Sequence, residues 1–266
     1  MSITVFLLAL AAHLGADFLL QSEALLRARS MGGIVPYLLH GGILALSLVV
    51  LLHIFGVWNA VVFAVVSATL HAGVDWTKDR LRRRLGPSAG PGLFLADQGL
   101  HLFCLFFLAG RLDFQPVTRL GTFYRSLWVP PAMETTFIKA AGLGPALTDK
   151  FLLVLVFYLA VIFGGSVFVR ELLEAVRVTP QETDTEGVTR RKTGLYIGLL
   201  ERSLVLTLIL ADAASAVGLV VAAKSVARFK ELNEKGFAEY YLVGTLASIT
   251  LAVAGGVVAK ICLAYL

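Results

Sequence analysis

From Ser30 to Val74 the chain runs 45 residues without one Asp, Glu, Lys or Arg. A soluble surface cannot be built from such a run, whereas a bilayer accepts it. A spanning helix needs about 20 mostly apolar residues, so the run is long enough for two, with a break near Phe55-Gly56-Val57. The rest of the chain agrees. Of 266 residues, 58% are hydrophobic and 15% charged, and the mean hydropathy is +0.81. These values exclude disorder, collagen-like repeats and a disulfide scaffold, and they argue against an ordinary soluble enzyme.

Further spans are expected at Ile3–Leu20, Gly92–Gly110, Phe151–Val169, Leu195–Ala223 and Tyr240–Ala259. The first segment lacks a basic n-region and reads as a retained helix rather than a cleaved signal. No strand-like alternation competes, and helices satisfy their own backbone in lipid. The expected fold is therefore all-α, a polytopic transmembrane helical bundle of about seven spans. A four-helix membrane domain covers 1–110 and an extramembrane excursion with Pro130-Pro131 covers 111–149. C-terminal membrane helices cover 150–266, with a polar loop at 170–193.

The net charge of +5 does not point to nucleic acid, because the basic residues sit in short clusters between apolar runs. No nucleic-acid partner is expected. Loops after the first, third and fifth spans hold twelve Lys and Arg, against eight on the other side. That bias puts the first set in the cytoplasm and the N-terminus outside. The basic segment Lys224–Lys235 falls on the wrong side of this scheme, which seven plain spans cannot repair. Cys104 and Cys262 form no metal motif and say nothing about redox compartment.

The ionisable residues inside apolar helix carry the functional signal. His13 precedes Asp17 by four residues, His71 precedes Asp75 by four, and Asp97 precedes His101 by four. Residues at i and i+4 share a helix face. Each pair is thus a two-ligand claw of the kind that Zn, Mn or Fe sites use. His13 and Asp17 end the first helix, His40 starts the second, His71 and Asp75 end the third, and Asp97 and His101 start the fourth. Up-and-down threading brings all four places to one membrane face. His53 falls at the opposite end. A lone intramembrane His is commonly a helix–helix hydrogen bonder. Three pairs and a fourth His at one level are expensive in a membrane, and that points to function. The metal ligands expected are His13, Asp17, His71, Asp75, Asp97 and His101, holding one or two divalent ions. His40 serves as ligand or proton carrier, and Gln21 and Lys78 reach the substrate's oxygens. Gln98 stands beside Asp97.

A second polar set, Glu201-Arg202, Asp212, Lys224, Arg228, Glu231 and Glu239, flanks or enters the last helices. It reads first as an ion-pair ladder within one helix near the interface. Gly194-x3-Gly198 fits close helix packing.

The ordered motifs His13-x3-Asp17-Phe18-Leu19-Leu20-Gln21, Leu39-His40, His71-x3-Asp75-x2-Lys78 and Asp97-Gln98-x2-His101 resemble a bacterial membrane protein family known as domain of unknown function 3307. The pieces Glu201-Arg202, Ala223-Lys224-Ser225-x2-Arg228-Phe229 and Ala238-Glu239-Tyr240-x3-Gly244-Thr245 are similar to the tail of its longer members. The resemblance implies residence in a bacterial inner membrane and no particular reaction. A looser similarity links the His-x3-Asp helices to membrane-bound metal-dependent hydrolases. Three functions are therefore expected in competition. The first is a metal-dependent hydrolase of an ester or phosphoester, lipid-linked by virtue of its headgroup-level site, at the cytoplasmic face. The second is a divalent metal or proton transporter, and the third a bis-His haem protein.

Overall fold

The computed structural model describes residues 2–30, 33–114, 145–177, 185–229, 232 and 235–266. Among these the protein is all-α and polytopic. Six helices are long and apolar enough to cross a membrane, or seven if the bent pair at the N-terminus counts as one span. The chain divides into two compact units, Met1–Arg80 with Ala96–Val156 and Leu266, and Leu81–Leu95 with Phe157–Tyr265.

Unit 1 is built from α1 (Ile3–Phe18), α2 (Glu23–Ser30), α3 (Val35–Leu52), most of α4 (Val57–Leu85) and most of α5 (Gly90–Ala109). The expected break between the second and third spans is at Gly56, whose φ of 110° closes the turn after α3. Helix α1 stops two residues before the expected Leu20. There the amides of Leu19 and Leu20 both turn to the Gly15 carbonyl. Its 16 residues rise about 24 Å, less than the roughly 30 Å of a hydrocarbon core. The chain then bends by 80° into α2, which starts where Ser22 Oγ accepts the Leu25 amide at 3.3 Å.

Each helix of unit 1 turns one continuous face inward, polar at one end and apolar at the other. On α1 the face runs Val5, Ala9, His13; on α3, His40, Leu44, Leu48, Leu52; on α4, Ala60, Ala64, Ser67, His71, Asp75; on α5, His101, Leu105, Ala109, all buried. A polar layer therefore lies on an apolar floor that includes Leu48 and Phe63, both 0% exposed. Small residues let the backbones approach. A Cβ at Gly41 of α3 would meet the Ala68 carbonyl of α4 at 3.4 Å. Trp58 and Trp76, both exposed on α4, are about 27 Å apart along the helix. Aromatic residues with this spacing mark the two bilayer interfaces. On that reading Asp75 lies at interface level, with His71 about 6 Å deeper by helix rise.

Residues 115–144 of the expected excursion lie outside the described residues. Its last part, 145–149, is helical, and the apolar span begins at Asp149. Pro145 opens a helix that runs to Tyr158, as proline favours at a first turn, and the buried Asp149 accepts the Thr4 hydroxyl at 2.7 Å. The polar loop at 170–193 is also shorter than expected, since helix continues to Ala175 and resumes at Thr185. Glu, Arg and Lys are good helix formers, so polarity alone does not mark a loop.

In unit 2 the expected span Leu195–Ala223 is two helices, Thr185–Leu210 and Val217–Ala227. Asp212, with φ of 61°, breaks it. The helices Thr185–Leu210 and Lys235–Ala264 run parallel. Arg202 bonds Ser248, a Cβ on Gly256 would press on Ile209, and Lys260 pairs with Asp212 near the far end. Two parallel neighbours require the chain between them to return along their length. The 14-residue apolar stretch Ala214–Ala227 supplies that return, and Lys224 on it reaches back to Glu201 at 2.6 Å. The expected intrahelical ladder is thus an interhelical ion pair, and Glu231 lies outside the described residues. Gly198 makes room for a side chain of its own helix, because a Cβ there would lie 3.2 Å from Arg202 Nη1; nothing lies within 4 Å at Gly194.

Candidate metal centre

The four histidines expected at one level do meet there, all in unit 1. The rings of His71 and His101 stack at 4.0 Å, those of His13 and His101 lie 4.9 Å apart, and those of His40 and His71 also 4.9 Å. His13, His40, His71 and His101 are each no more than 3% exposed, as are Asp75 and Asp97. His53 stands apart, its Nδ1 against the Val50 carbonyl at 2.7 Å.

The ligand-capable atoms converge closely. His40 Nε2 and His71 Nε2 are 2.9 Å apart. Asp17 Oδ1 is 3.1 Å from the first and 3.3 Å from the second. Asp75 Oδ2 completes a second triangle on the same His–His edge, at 3.7 Å and 3.4 Å. For bonds of about 2.0–2.1 Å, the edges of a tetrahedral ligand shell are about 3.3–3.4 Å. Three groups are close enough to hold an ion: His13, Asp17, His71 and His101; His40, His71 and Asp75; Asp75, Asp97 and His101. The buried atoms His101 Nδ1, His101 Nε2 and Asp97 Oδ1 lack any hydrogen-bond partner. Buried polar atoms are rarely left so, and these belong to the third group, in which Lys78 already pairs with both carboxylates.

Around this set lies a shell of fixed charges. Lys78 Nζ reaches Asp75 Oδ1 at 3.2 Å and Asp97 Oδ2 at 2.8 Å. Arg29 Nη1 forms an ion pair with Asp75 Oδ2 at 2.9 Å, and Nη2 donates to Asp79 Oδ2 at 3.1 Å. Tyr37 donates its hydroxyl to the same Asp79 oxygen at 2.8 Å and lies under the Arg29 guanidinium. Gln98 donates to Asp17 Oδ2 and Asp97 Oδ2, both at 3.2 Å. Such outer partners orient ligands.

Gln21, expected at the substrate, occupies a bridging place. With its amide turned to satisfy both ends, it donates to the Asp17 carbonyl at 3.3 Å and accepts from Arg29 Nη1 at 2.8 Å. Arg29, Tyr37 and Asp79 were not singled out by the sequence reading. Two had a usable signal, since Tyr37 precedes His40 by three and Asp79 follows Asp75 by four. Arg29 had none, because only the bend after α1 brings it in.

A family model described as Protein of unknown function (DUF3307) matches residues 5–123, the stretch that carries the whole centre. No curated protein and no solved structure matches the chain.

Proposed function

We propose that unit 1 is a membrane hydrolase working with one bound divalent metal ion. One observation carries the metal. The set holds four carboxylates, Asp17, Asp75 and Asp97 in the interior and Asp79 half-buried, against two permanent cations, the buried Arg29 and the half-buried Lys78. With the histidines neutral, as metal ligands must be, two positive charges are missing, and unbalanced buried charge is costly in a membrane. One divalent ion restores neutrality. His40, His71, Asp17 and Asp75 would hold it, with His13 and His101 beside them. Zn, Mn and Fe all suit this nitrogen–oxygen donor set. Lys78 bridges Asp75 and Asp97, the carboxylates a second ion would need, so one ion suffices.

A bound metal of this type lowers the pKa of a coordinated water. This chain's own residues do the rest. Gln98 fixes Asp17, Arg29 and Asp79 fix Asp75, and Lys78, 25% exposed, presents a cation toward the open side. Trp76 as an interfacial residue supports a centre near phospholipid headgroups, which suits an ester or phosphoester on an amphiphile, phosphate being held by Lys78. The basic loops after the first and third spans support the cytoplasmic leaflet, and the family resemblance supports a bacterial inner membrane.

A transporter for metal or protons is the second reading. The apolar floor of Ala9, Leu48, Ala60 and Phe63 counts against it, since a pathway needs polar groups beyond the site. For haem, the 2.9 Å between His40 and His71 nitrogens leaves no room for a macrocycle between them.

The test is hydrolysis of fluorogenic phosphate mono- and diester amphiphiles by purified protein in nanodiscs. Activity that chelation abolishes and Mn²⁺ or Zn²⁺ restores supports the reading. No turnover of any such ester by metal-loaded protein, together with ion uptake in proteoliposomes, replaces it with transport.

A further inference from the structure

Unit 2 buries a cation, Arg202, that forms no ion pair among the described residues. Arg202 is 3% exposed. Its Nε donates to the Ile162 carbonyl at 3.0 Å and its Nη1 to Ser248 Oγ at 3.0 Å, both neutral acceptors. Nη2 is buried and has no partner. The adjacent carboxylate, Glu201, is engaged by Lys224. An unpaired charge at this depth is strongly disfavoured.

The surroundings are shaped for this guanidinium. A Cβ on Gly198 would lie 3.2 Å from Nη1, and one on Gly165 would lie 3.2 Å from Arg202 Cδ. The side chain folds back toward Gly198, one turn earlier on its own helix, as long helical side chains do. Because the neighbouring helix runs parallel, that level faces the turn before Ser248, which carries Thr245. Thr245 Oγ1 and Tyr241 OH are also buried without partners. Tyr241, Thr245 and Ser248 share one helix face, and Lys224 Nζ lies 5.2 Å over the Tyr241 ring. A hydroxyl can satisfy a hydroxyl, but the buried guanidinium's charge calls for an anion beside it.

We propose that unit 2 binds a phosphate group at Arg202 Nη2, with Thr245 and Tyr241 as further donors. Three separate donors suit the oxygens of a phosphate better than the two of a carboxylate, and arginine favours such acceptors. The phosphate could come from a lipid headgroup or from solution. The site stands independently of the metal centre in unit 1.

Native mass spectrometry of the full chain in neutral detergent tests it, with dioleoyl phosphatidic acid titrated in one arm and inorganic phosphate in the other. The expected result is one saturable adduct. Binding of the lipid alone assigns a headgroup site, and binding of both assigns a site for the bare anion. Arg202→Gln should weaken binding at least about tenfold, as loss of a charge-assisted bond does, and Thr245→Val should weaken it by a smaller factor. Thr245→Val keeps the test open if Arg202→Gln fails to fold. No adduct with wild type in either arm overturns the proposal. So does an adduct equally strong in Thr245→Val and Arg202→Gln, or in Thr245→Val alone if the arginine variant does not fold, since it then lies elsewhere on the basic surface.

Discussion

His40 and His71 meet Nε2 to Nε2 at 2.9 Å from two different helices, 31 residues apart in sequence. One proton can bridge those nitrogens, but it cannot also satisfy Asp17 Oδ1, which lies within 3.3 Å of both. A shared cation answers all three. The purified chain should therefore carry about one equivalent of a divalent metal by inductively coupled plasma mass spectrometry. His71 belongs to both triangles of donors, so His71→Ala should abolish the retained metal. Gln98→Ala, which removes an orienting partner of Asp17, should weaken affinity about 10–100-fold. Metal-free wild-type protein that stays metal-free after Zn²⁺ and Mn²⁺ loading would refute the centre.

Lys78 sits between Asp75 and Asp97, and Asp75 points its other oxygen at His40 and His71. A carboxylate shared in this way bridges two ions in dinuclear sites. Here the ammonium holds the second place. Lys78→Ala should raise the metal content from one to two equivalents, with Asp75, Asp97 and His101 forming the new site. With Mn²⁺, electron paramagnetic resonance should change from an isolated to an exchange-coupled signal. A wild type that already carries two ions, or a variant that still carries one, contradicts this assignment.

The site was largely legible before the structure because its logic is periodic. Four-residue spacing and end-of-helix position place His13, His40, His71 and His101 together without tertiary information. Gln21 and Arg29 were not legible, because their roles depend on an 80° bend after α1 that no glycine or proline announces. Polarity at Asp212 was visible, but a left-handed residue that turns one expected span into two cannot be read from a side chain that helices also accept. Arg202 looked like one charge among several until parallel packing removed Glu201 as its partner.

Arg29 is buried between Asp75 and Asp79, while Tyr37 donates to the same Asp79 oxygen. Removing one partner of a fully buried ion pair costs about 3–5 kcal/mol; Asp79 is half-buried and Arg29 keeps Asp75, so the cost here is lower, about 2 kcal/mol. Removing a single neutral hydrogen bond costs about 1 kcal/mol. Thermal unfolding in detergent should therefore rank Asp79→Ala below Tyr37→Phe, with Tyr37→Phe close to wild type. An Asp79→Ala melting point equal to that of wild type would show that Arg29 is not anchored as described.

The parallel run of Thr185–Leu210 and Lys235–Ala264 fixes which residues share a membrane side. Thr193 and Gly236 precede the apolar parts of the two helices, and Ala214 follows the break at Asp212. After Cys104 and Cys262 are replaced by Ser, Thr193→Cys and Gly236→Cys should react with an impermeant maleimide from one side of sealed vesicles. Ala214→Cys should react only from the other. This arrangement also puts Lys224 and Arg228 on the side of the chain before Thr193, as the positive-inside rule asks of basic residues. The seven-span count could not do so, because it omitted the return through Ala214–Ala227. Labelling of Thr193→Cys and Gly236→Cys from opposite sides would contradict the parallel pair and restore the plain seven-span thread.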